Sequence, residues 1–107
     1  MIDESEVKRI VQITIKELKK QELMRDAESI AYKEISERLN AYYIGIHDDD
    51  LQAVLDELKD DRYFDIITMF YFERYTVEQI AEQLDVDVRT VSRNKKRLCL
   101  DIYMRLI

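Results

Sequence analysis

Two helix-start signals lie close together in the last third of the chain, and they leave room for only one short helix between them. The first is Thr76, whose hydroxyl can accept a hydrogen bond from the backbone of Gln79 while the Gln79 side chain returns to Thr76, as in a capping box. The second is Asp87, a favourable N-cap residue. The sequence therefore predicts a short helix that begins at Val77, a tight turn, and a second helix after Asp87.

The turn between these helices consists of an apolar residue, Val86, between Asp85 and Asp87. Aspartate favours turns and caps, whereas Val86 is expected to fill the core beneath the turn. The small Ala81 is explained by packing, because two helices that cross steeply through a short turn leave little room where they touch. The residues of the first helix that we expect to face inward are Ile80, Ala81 and Leu84.

The helix after Asp87 has an apolar side, on which Val91, Leu98 and Ile102 are expected to face inward. Residues 89–97 hold five positive charges and no negative one, a local basic patch on a chain with a formal net charge of −6. Residues 76–107 carry +1 and residues 1–75 carry −7, so most of the acid lies elsewhere. A basic run is often only a solvated helix face, but together with the turn it favours DNA binding.

The rest of the chain is also predicted to be helical, since proline is absent and Gly45 is the one glycine. Apolar residues at helical spacing predict one helix within Asp3 to Lys20 and a second after a break near Glu22 to Asp26. Gly45 is expected to close the second helix. The first stripe is Val7, Ile10, Val11, Thr14 and Leu18, and the second is Leu23, Ala27, Ile30, Ala31, Ile35, Leu39 and Tyr42.

Two further segments complete the predicted helical bundle. The acidic trio Asp48 to Asp50 precedes a short helix and lacks the ligand order of a calcium loop, so we expect no metal there. Residues Tyr63 to Tyr75 are apolar nearly all round, which is typical of an enclosed core helix. A stacking platform for single-stranded nucleic acid or a cofactor site is the alternative interpretation of its aromatic residues. The inward positions of the short helix are Leu51, Val54, Leu55 and Leu58.

Several classes of protein are not expected. The sequence contains no phosphate-binding glycine loop, no Cys/His nucleophile pair and no metal-binding pattern, so we predict no enzyme, cofactor or bound metal. The lone Cys99 cannot form an internal disulfide, and the lone His47 cannot build a zinc site with it. We find neither an apolar run of about 18 residues nor a secretory leader, so we expect a cytoplasmic protein without membrane contact.

The segment from Thr76 onward resembles the helix-turn-helix of sigma factor region 4. Arg62 and the aromatic residues 70–72 extend the likeness, which covers roughly Asp61 to Leu106. Among small proteins with this module, the chain most resembles phage and prophage late-gene regulators of the ArpU and RinA type. The residues that carry the resemblance are Thr76, Ile80, Ala81, Leu84, Val86, Asp87, Val91 and Arg93.

The chain departs from the family pattern at two positions. Asp85 stands where the motif usually has glycine, although aspartate tolerates a left-handed backbone better than most residues. Asn94 stands where the family often has an apolar residue that faces the core. We expect this second departure to loosen or rotate the recognition helix.

The resemblance implies an all-α protein, a helical bundle that ends in a sigma region 4-like helix-turn-helix. The protein is expected to divide into an N-terminal helical region, 1–60, and a DNA-binding module, 61–107. Helix 88–103 of this module is expected to enter the major groove. Arg89 and Arg93 are expected to contact guanine, with Ser92 and Lys96 as the next candidates and Val88 against a thymine methyl. The residues expected at phosphates are Thr90, Lys95 and Arg97.

Such a protein is expected to be a sequence-specific regulator of transcription that binds double-stranded DNA and also touches host RNA polymerase. One module alone should bind weakly, so the helices from Val7 to Tyr42 form either a homodimer interface or an intramolecular core. One alternative is a protein-interaction module that acts on RNA polymerase or, through the acidic stretch Asp48 to Asp65, on a basic partner. The other alternative is a DNA-recognition protein like a terminase small subunit.

Overall fold

The computed structural model describes residues 26–107, and every regular element in that range is helical. The predicted helix within Asp3 to Lys20, its apolar stripe and the break after it lie outside the described residues. Residues 26–30 are helical and exposed, and they belong to a unit that spans Met1–Ile30. The second unit, Ala31–Ile107, contains the remaining helices. The all-α fold is thus observed throughout the described part of the chain.

The helices are numbered in chain order. Helix α1 covers 26–43, α2 is Asp49–Leu58 and α4 is Val77–Leu84. Helix α3 begins as an α-helix, Asp65–Ile67, and continues as a π-helical turn, Thr68–Phe72. The last helix, α5, is Val88–Leu106. No helix in the described range is both long enough and apolar enough to cross a membrane.

Helix α1 ends as predicted, at Gly45, which has a φ angle of +111°. The Ile46 N–H donates to the Ala41 carbonyl over 3.0 Å and the Gly45 N–H donates to the Tyr42 carbonyl over 3.1 Å. These two bonds form a Schellman motif, in which the residue with positive φ is usually glycine. Gly45 therefore turns the chain out of α1 and toward α2.

The inward stripe predicted for α1 is only partly correct. Ala31, Ile35 and Leu39 are buried, but Ile30 is 66% exposed and Ala27 is exposed as well, so their inward assignment is wrong. Ala31 is the first residue of the second unit, and the buried stripe of that unit's core begins there. Helical spacing then carries the buried stripe forward in steps of four residues.

Helix α2 begins where the acidic trio predicts it. The Asp48 carboxylate accepts a hydrogen bond from the Leu51 N–H over 3.1 Å and receives two more from Arg38, at 2.5 and 2.9 Å. This arrangement is an N-cap and an ion pair at once, and the Arg38 guanidinium holds the pKa of Asp48 below its usual range. The four inward residues predicted for α2 are all buried, namely Leu51, Val54, Leu55 and Leu58.

Helix α3 is enclosed on two sides, as its apolar sequence predicts. Ile66 packs in one buried cluster, whereas Ile67 and Tyr71 pack in another, and the Tyr71 hydroxyl lies 2.7 Å from Ser36 Oγ. The core assignment fails at the end of the segment, where Phe72 is 58% exposed and Tyr75 is 36% exposed. The π-helical turn inserts an extra residue per turn, which changes the helical phase before Phe72.

Two buried clusters hold α5 from both ends. The smaller cluster joins α5 to α3 and α4, through Ile66, Ile80, Ala81 and Val91. The larger cluster buries the second half of α5 against α1, α2 and α3. Because α5 contributes buried residues to both clusters, its first turns are held in place by packing against the other helices. The α5 residues in the larger cluster are Leu98, Cys99 and Ile102, and none of them is exposed.

Candidate nucleic-acid interface

The first helix of the helix-turn-helix starts with the predicted capping box. The Gln79 N–H donates to Thr76 Oγ1 over 3.1 Å, and the Thr76 N–H donates to Gln79 Oε1 over 2.9 Å. Helix α4 therefore begins at Val77, as predicted, with two backbone donors satisfied by side chains. The inward face is also confirmed, since Ile80 and Ala81 are buried and Leu84 packs against the same cluster.

The turn after α4 uses a left-handed residue, Asp85, with φ 55° and ψ 47°. The Asp85 N–H donates to the Glu82 carbonyl over 3.3 Å, and the Val86 N–H donates to the Ala81 carbonyl over 3.0 Å. Val86 is half-buried and packs against the smaller cluster, as expected for a residue beneath the turn. Asp85 therefore adopts the left-handed backbone expected at the position where the family usually has glycine.

Replacing Asp85 by glycine is expected to stabilise the protein by about 0.5–1 kcal/mol, because glycine adopts a left-handed backbone without the steric cost that a side chain brings. Urea unfolding followed by circular dichroism would measure the change. Glu82→Gly is the matched control, since Glu82 is exposed within α4 and glycine there should destabilise by a similar amount. A loss of stability in Asp85→Gly would contradict the expected effect.

The second helix starts at Asp87, again as predicted. Asp87 Oδ1 accepts a hydrogen bond from the Thr90 N–H over 2.6 Å, and hydrogen bonding to Thr90 lowers the pKa of Asp87. This bond fixes the first turn of α5, where Val88 is 43% exposed. The side chains that follow Asp87 therefore project from a capped helix start.

One face of α5 carries the exposed residues that the sequence assigned to the DNA groove. Arg89, Ser92, Arg93 and Lys96 are all exposed and follow helical spacing, while Val91 on the opposite side is completely buried. Within residues 26–107, Arg89 and Arg93 make no hydrogen bond and no ion pair. Their guanidinium groups are therefore free to accept a partner from outside the described chain.

The other assigned cations are turned toward the protein. Lys95 is half-buried, and its Nζ lies 3.5 Å from the centre of the Phe70 ring and 5.7 Å from that of Tyr32. Such a cation above an aromatic face is held by the ring quadrupole. Thr90 is half-buried at the start of the helix. Lys95 and Arg97 thus contact residues outside α5, whereas Arg89 and Arg93 make no hydrogen bond or ion pair within the described residues.

Arg97 forms a fork-shaped ion pair with Asp61, in the segment between α2 and α3. Arg97 Nη1 and Nη2 donate to the two Asp61 carboxylate oxygens over 3.1 and 3.0 Å, and Arg97 Nε donates to Asn94 Oδ1 over 3.0 Å. Asn94 Nδ2 in turn donates to the Thr90 carbonyl over 2.9 Å. Sequence reasoning missed Asp61, because the pair joins residues 36 positions apart and no local pattern indicates it.

A comparison with protein families matches the same part of the chain. Residues 48–100 match the family model for sigma-70 region 4. The chain carries a sigma-70 region 4-like helix-turn-helix. The match begins at the N-cap of α2 rather than at Asp61, and α2 does pack against α5 in the larger cluster. Comparisons with curated proteins and with solved structures gave no significant match.

The match with sigma-70 region 4 supports a DNA-binding helix-turn-helix in this part of the chain. Within residues 26–107, the His, Cys, Asp and Glu side chains form no group of three or more that could hold a metal ion. Cys99 is buried in the larger cluster, and burial raises the pKa of its thiol. Of the acidic trio at residues 48–50, Asp48 caps α2 and the other two lie in its first turn.

The Asp61–Arg97 pair of the region 4 module should make stability depend on pH. Hydrogen bonds from Arg97 and from the Tyr63 N–H lower the pKa of Asp61, so its stabilising contribution is present above the unfolded value of about 3.9. The contribution is lost as the pH falls through the lower pKa of the folded state. We expect Asp61→Asn to be less stable than the native chain at pH 7 and to approach it below about pH 3.9, in urea unfolding at several pH values. An unchanged difference across this range would contradict the assignment.

Proposed function

We propose that the protein is a sequence-specific DNA-binding regulator of transcription that inserts the first turns of α5 into the major groove. The observation that carries the proposal is the exposed face of α5 above a capped, packed helix-turn-helix. Arg89 and Arg93 have the fork geometry that fits guanine O6 and N7, and their guanidinium groups are unpaired within the described residues. Ser92, Lys96 and Val88 are the next groove contacts that we propose.

Phosphate contacts are assigned to the edges of the same face. Thr90 and Lys95 remain our proposed candidates, although Lys95 also contacts Phe70. Arg97, the third residue that the sequence suggested for phosphate, already donates to Asp61. A net charge of −6 also opposes approach to DNA, so binding depends on the local patch rather than on the whole chain. Affinity is therefore expected to fall steeply with salt, as it does for proteins that neutralise phosphates.

We further propose that the regulator comes from a phage or prophage and acts as a homodimer. The likeness to regulators of the ArpU and RinA type supports the origin. One recognition helix contacts only a short stretch of base pairs, so two modules on two half-sites would supply the affinity that one lacks. Sedimentation equilibrium would test the dimer. A ring-sized oligomer would instead favour the terminase-like alternative.

The direct test of DNA binding is a selection from random duplex DNA, followed by affinity measurements for the selected and a scrambled sequence at two salt concentrations. We expect a preference of at least about 10³ for the selected site, the lower end for specific DNA-binding proteins. Binding without a recoverable sequence, or no binding of duplex DNA at low salt, would contradict the proposed function. The salt dependence distinguishes binding through phosphate contacts, which weakens as salt rises, from nonspecific apolar association.

A second candidate function is contact with RNA polymerase, and an exposed apolar groove favours a protein partner of this kind. The groove has a volume of about 380 Å³ and contains Phe72, whose ring lies 5.5 Å from that of Tyr43. Purified core RNA polymerase should bind the native chain and bind Phe72→Ser less well. Met104→Ser is a matched control, since Met104 is similarly exposed but lies on α5. Equal binding of both variants would exclude this groove.

A further inference from the structure

The side of α5 that carries Thr90, Asn94 and Arg97 is distinct from its groove face and from its buried face. Residues at these spacings form one stripe along a helix, and a rotation of 100° per residue places this stripe between Arg93 and the buried Leu98. The stripe is a continuous chain of hydrogen bonds, from the Thr90 carbonyl through Asn94 and Arg97 to Asp61. Asp61 lies outside α5, so the chain of bonds connects the helix to its support.

We propose that Asp61, Arg97 and Asn94 form a positioning network that sets the rotation of α5 about its own axis, and that Arg97 does not bind phosphate. This inference rests on the proposed function, because the rotation of α5 sets the direction in which Arg89 and Arg93 point toward the bases. Base contacts through two hydrogen bonds tolerate displacements of only about 0.5 Å and about 10–20°. The buried apolar residues set which face of α5 is inward, and a directional link at the edge of the groove face adds an angular restraint that apolar contacts do not supply.

Three of the five N–H donors of Arg97 are already used, one on each nitrogen, which is why phosphate binding is the weaker assignment. Its two terminal nitrogens bond to the two oxygens of Asp61 and its Nε bonds to Asn94. A planar fork facing a carboxylate is a strong, directional pairing. Asp61 is itself held by the Tyr63 N–H over 2.9 Å. To present the same two-nitrogen fork to a phosphate, Arg97 would have to give up its bonds to Asp61.

The network also gives Asn94 a role. The family pattern suggests that a polar residue here loosens the recognition helix. In the structure, both polar atoms of the Asn94 amide are hydrogen-bonded. Its Nδ2 donates to the Thr90 carbonyl within α5, and its Oδ1 accepts from Arg97 Nε. Asn94 therefore holds the Arg97 side chain in the plane in which it meets Asp61, and an apolar residue could not do so.

The test compares the native chain with Arg97→Gln, Asp61→Asn and the double variant, using a selected and a scrambled duplex across a salt series. We expect the preference for the selected site to fall about ten-fold in each single variant and no further in the double variant. For Arg97→Gln, the slope of log affinity against log salt should stay unchanged. If Arg97 instead contacts a phosphate, the magnitude of that slope should fall by about 0.9, and this result would overturn the proposal.

Arg105→Gln is the matched control, because Arg105 also pairs from α5 to another helix, donating to Glu57 over 2.8 Å and to Asp101 over 3.0 Å. It lies at the far end of α5 and should leave the preference unchanged. An unchanged preference in Arg97→Gln and Asp61→Asn, with a selective native chain, would refute the network alone. A native chain without any preference would refute the proposed function instead.

A measurement without DNA tests the network even if the native chain shows no sequence preference. In amide NMR spectra, Arg97→Gln should shift the resonances of residues 88–94, the first two turns of α5, whereas Arg105→Gln should not. Shifts confined to the neighbours of residues 61 and 97 would show that the network does not control the start of the helix. Retention of dispersed resonances shows in the same spectra that each variant is folded.

Discussion

Replacing both Arg89 and Arg93 by alanine is expected to weaken binding to the selected DNA site by about 2–6 kcal/mol, since each bidentate contact to a base contributes about 1–3 kcal/mol. Both side chains are exposed, and neither pairs with another described residue. The fold should therefore tolerate the change, and the melting temperature should move little. Affinity for a scrambled duplex should fall much less, so the loss is one of sequence preference.

Arg105→Ala is the control for the arginine pair, because it removes a positive charge from the same helix at its other end. Fluorescence anisotropy with labelled duplexes would measure all three proteins under one salt condition. Equal losses for the selected and scrambled duplexes would mean that Arg89 and Arg93 contact only phosphates. No loss for either duplex would remove the first turns of α5 from the interface.

Leu98→Ala is expected to destabilise the protein by about 3 kcal/mol, within the range of about 2–5 kcal/mol seen when a buried leucine leaves a cavity. Leu98 is completely buried in the larger cluster, where α5 meets α1, α2 and α3. A domain of this size has a free energy of unfolding of roughly 5–10 kcal/mol. The substitution should therefore remove a large share of the total stability, as measured by urea unfolding.

Met104→Ala provides the comparison, because Met104 lies on the same helix but is 65% exposed. We expect that variant to stay within about 0.5 kcal/mol of the native chain. A comparable loss in both variants would indicate that α5 does not pack with Leu98 inward and Met104 outward. A small loss in Leu98→Ala would show that the larger cluster is not the principal core.

Local sequence signals predicted the parts of the fold that depend on neighbouring residues. The capping box at Thr76 and the N-cap at Asp87 are complete within four residues, so their patterns specify the helix starts. The end of α1 at Gly45 is equally local, since only the backbone conformation of one residue decides it. Local signals at these three positions therefore predict the starts of α4 and α5 and the end of α1.

Contacts between distant parts of the chain could not be predicted in this way. The pair formed by Asp61 and Arg97 depends on how α3 packs against α5, and the stacking of Lys95 on Phe70 depends on the same packing. The basic run therefore suggested five similar cations, whereas the fold separates them into different environments. The helical phase of α5 still predicted which residues are exposed, because its buried face is fixed by apolar spacing.

The end of α3 shows a second limit of prediction from sequence patterns. The apolar run predicts a core helix through Tyr75, but the Glu73 N–H donates to the Thr68 carbonyl over 3.0 Å, the wider spacing of a π-helical turn. An extra residue in one turn rotates the side chains after it about the helix axis, and Phe72 becomes exposed. A hydropathy pattern assumes a constant period, so it cannot reveal such a change.

The measurement that tests the placement of α5 in the major groove most directly uses a selected site in which single guanines are replaced by 7-deazaguanine. This base lacks the N7 acceptor but keeps its Watson–Crick pairing. We predict that replacement of one or two of these guanines weakens binding of the native chain. Each such replacement should have no further effect on the variant, Arg89→Ala or Arg93→Ala, that lacks the arginine contacting that guanine. Equal losses in the native chain and in both variants, or no loss at any guanine, would contradict major-groove recognition by these arginines.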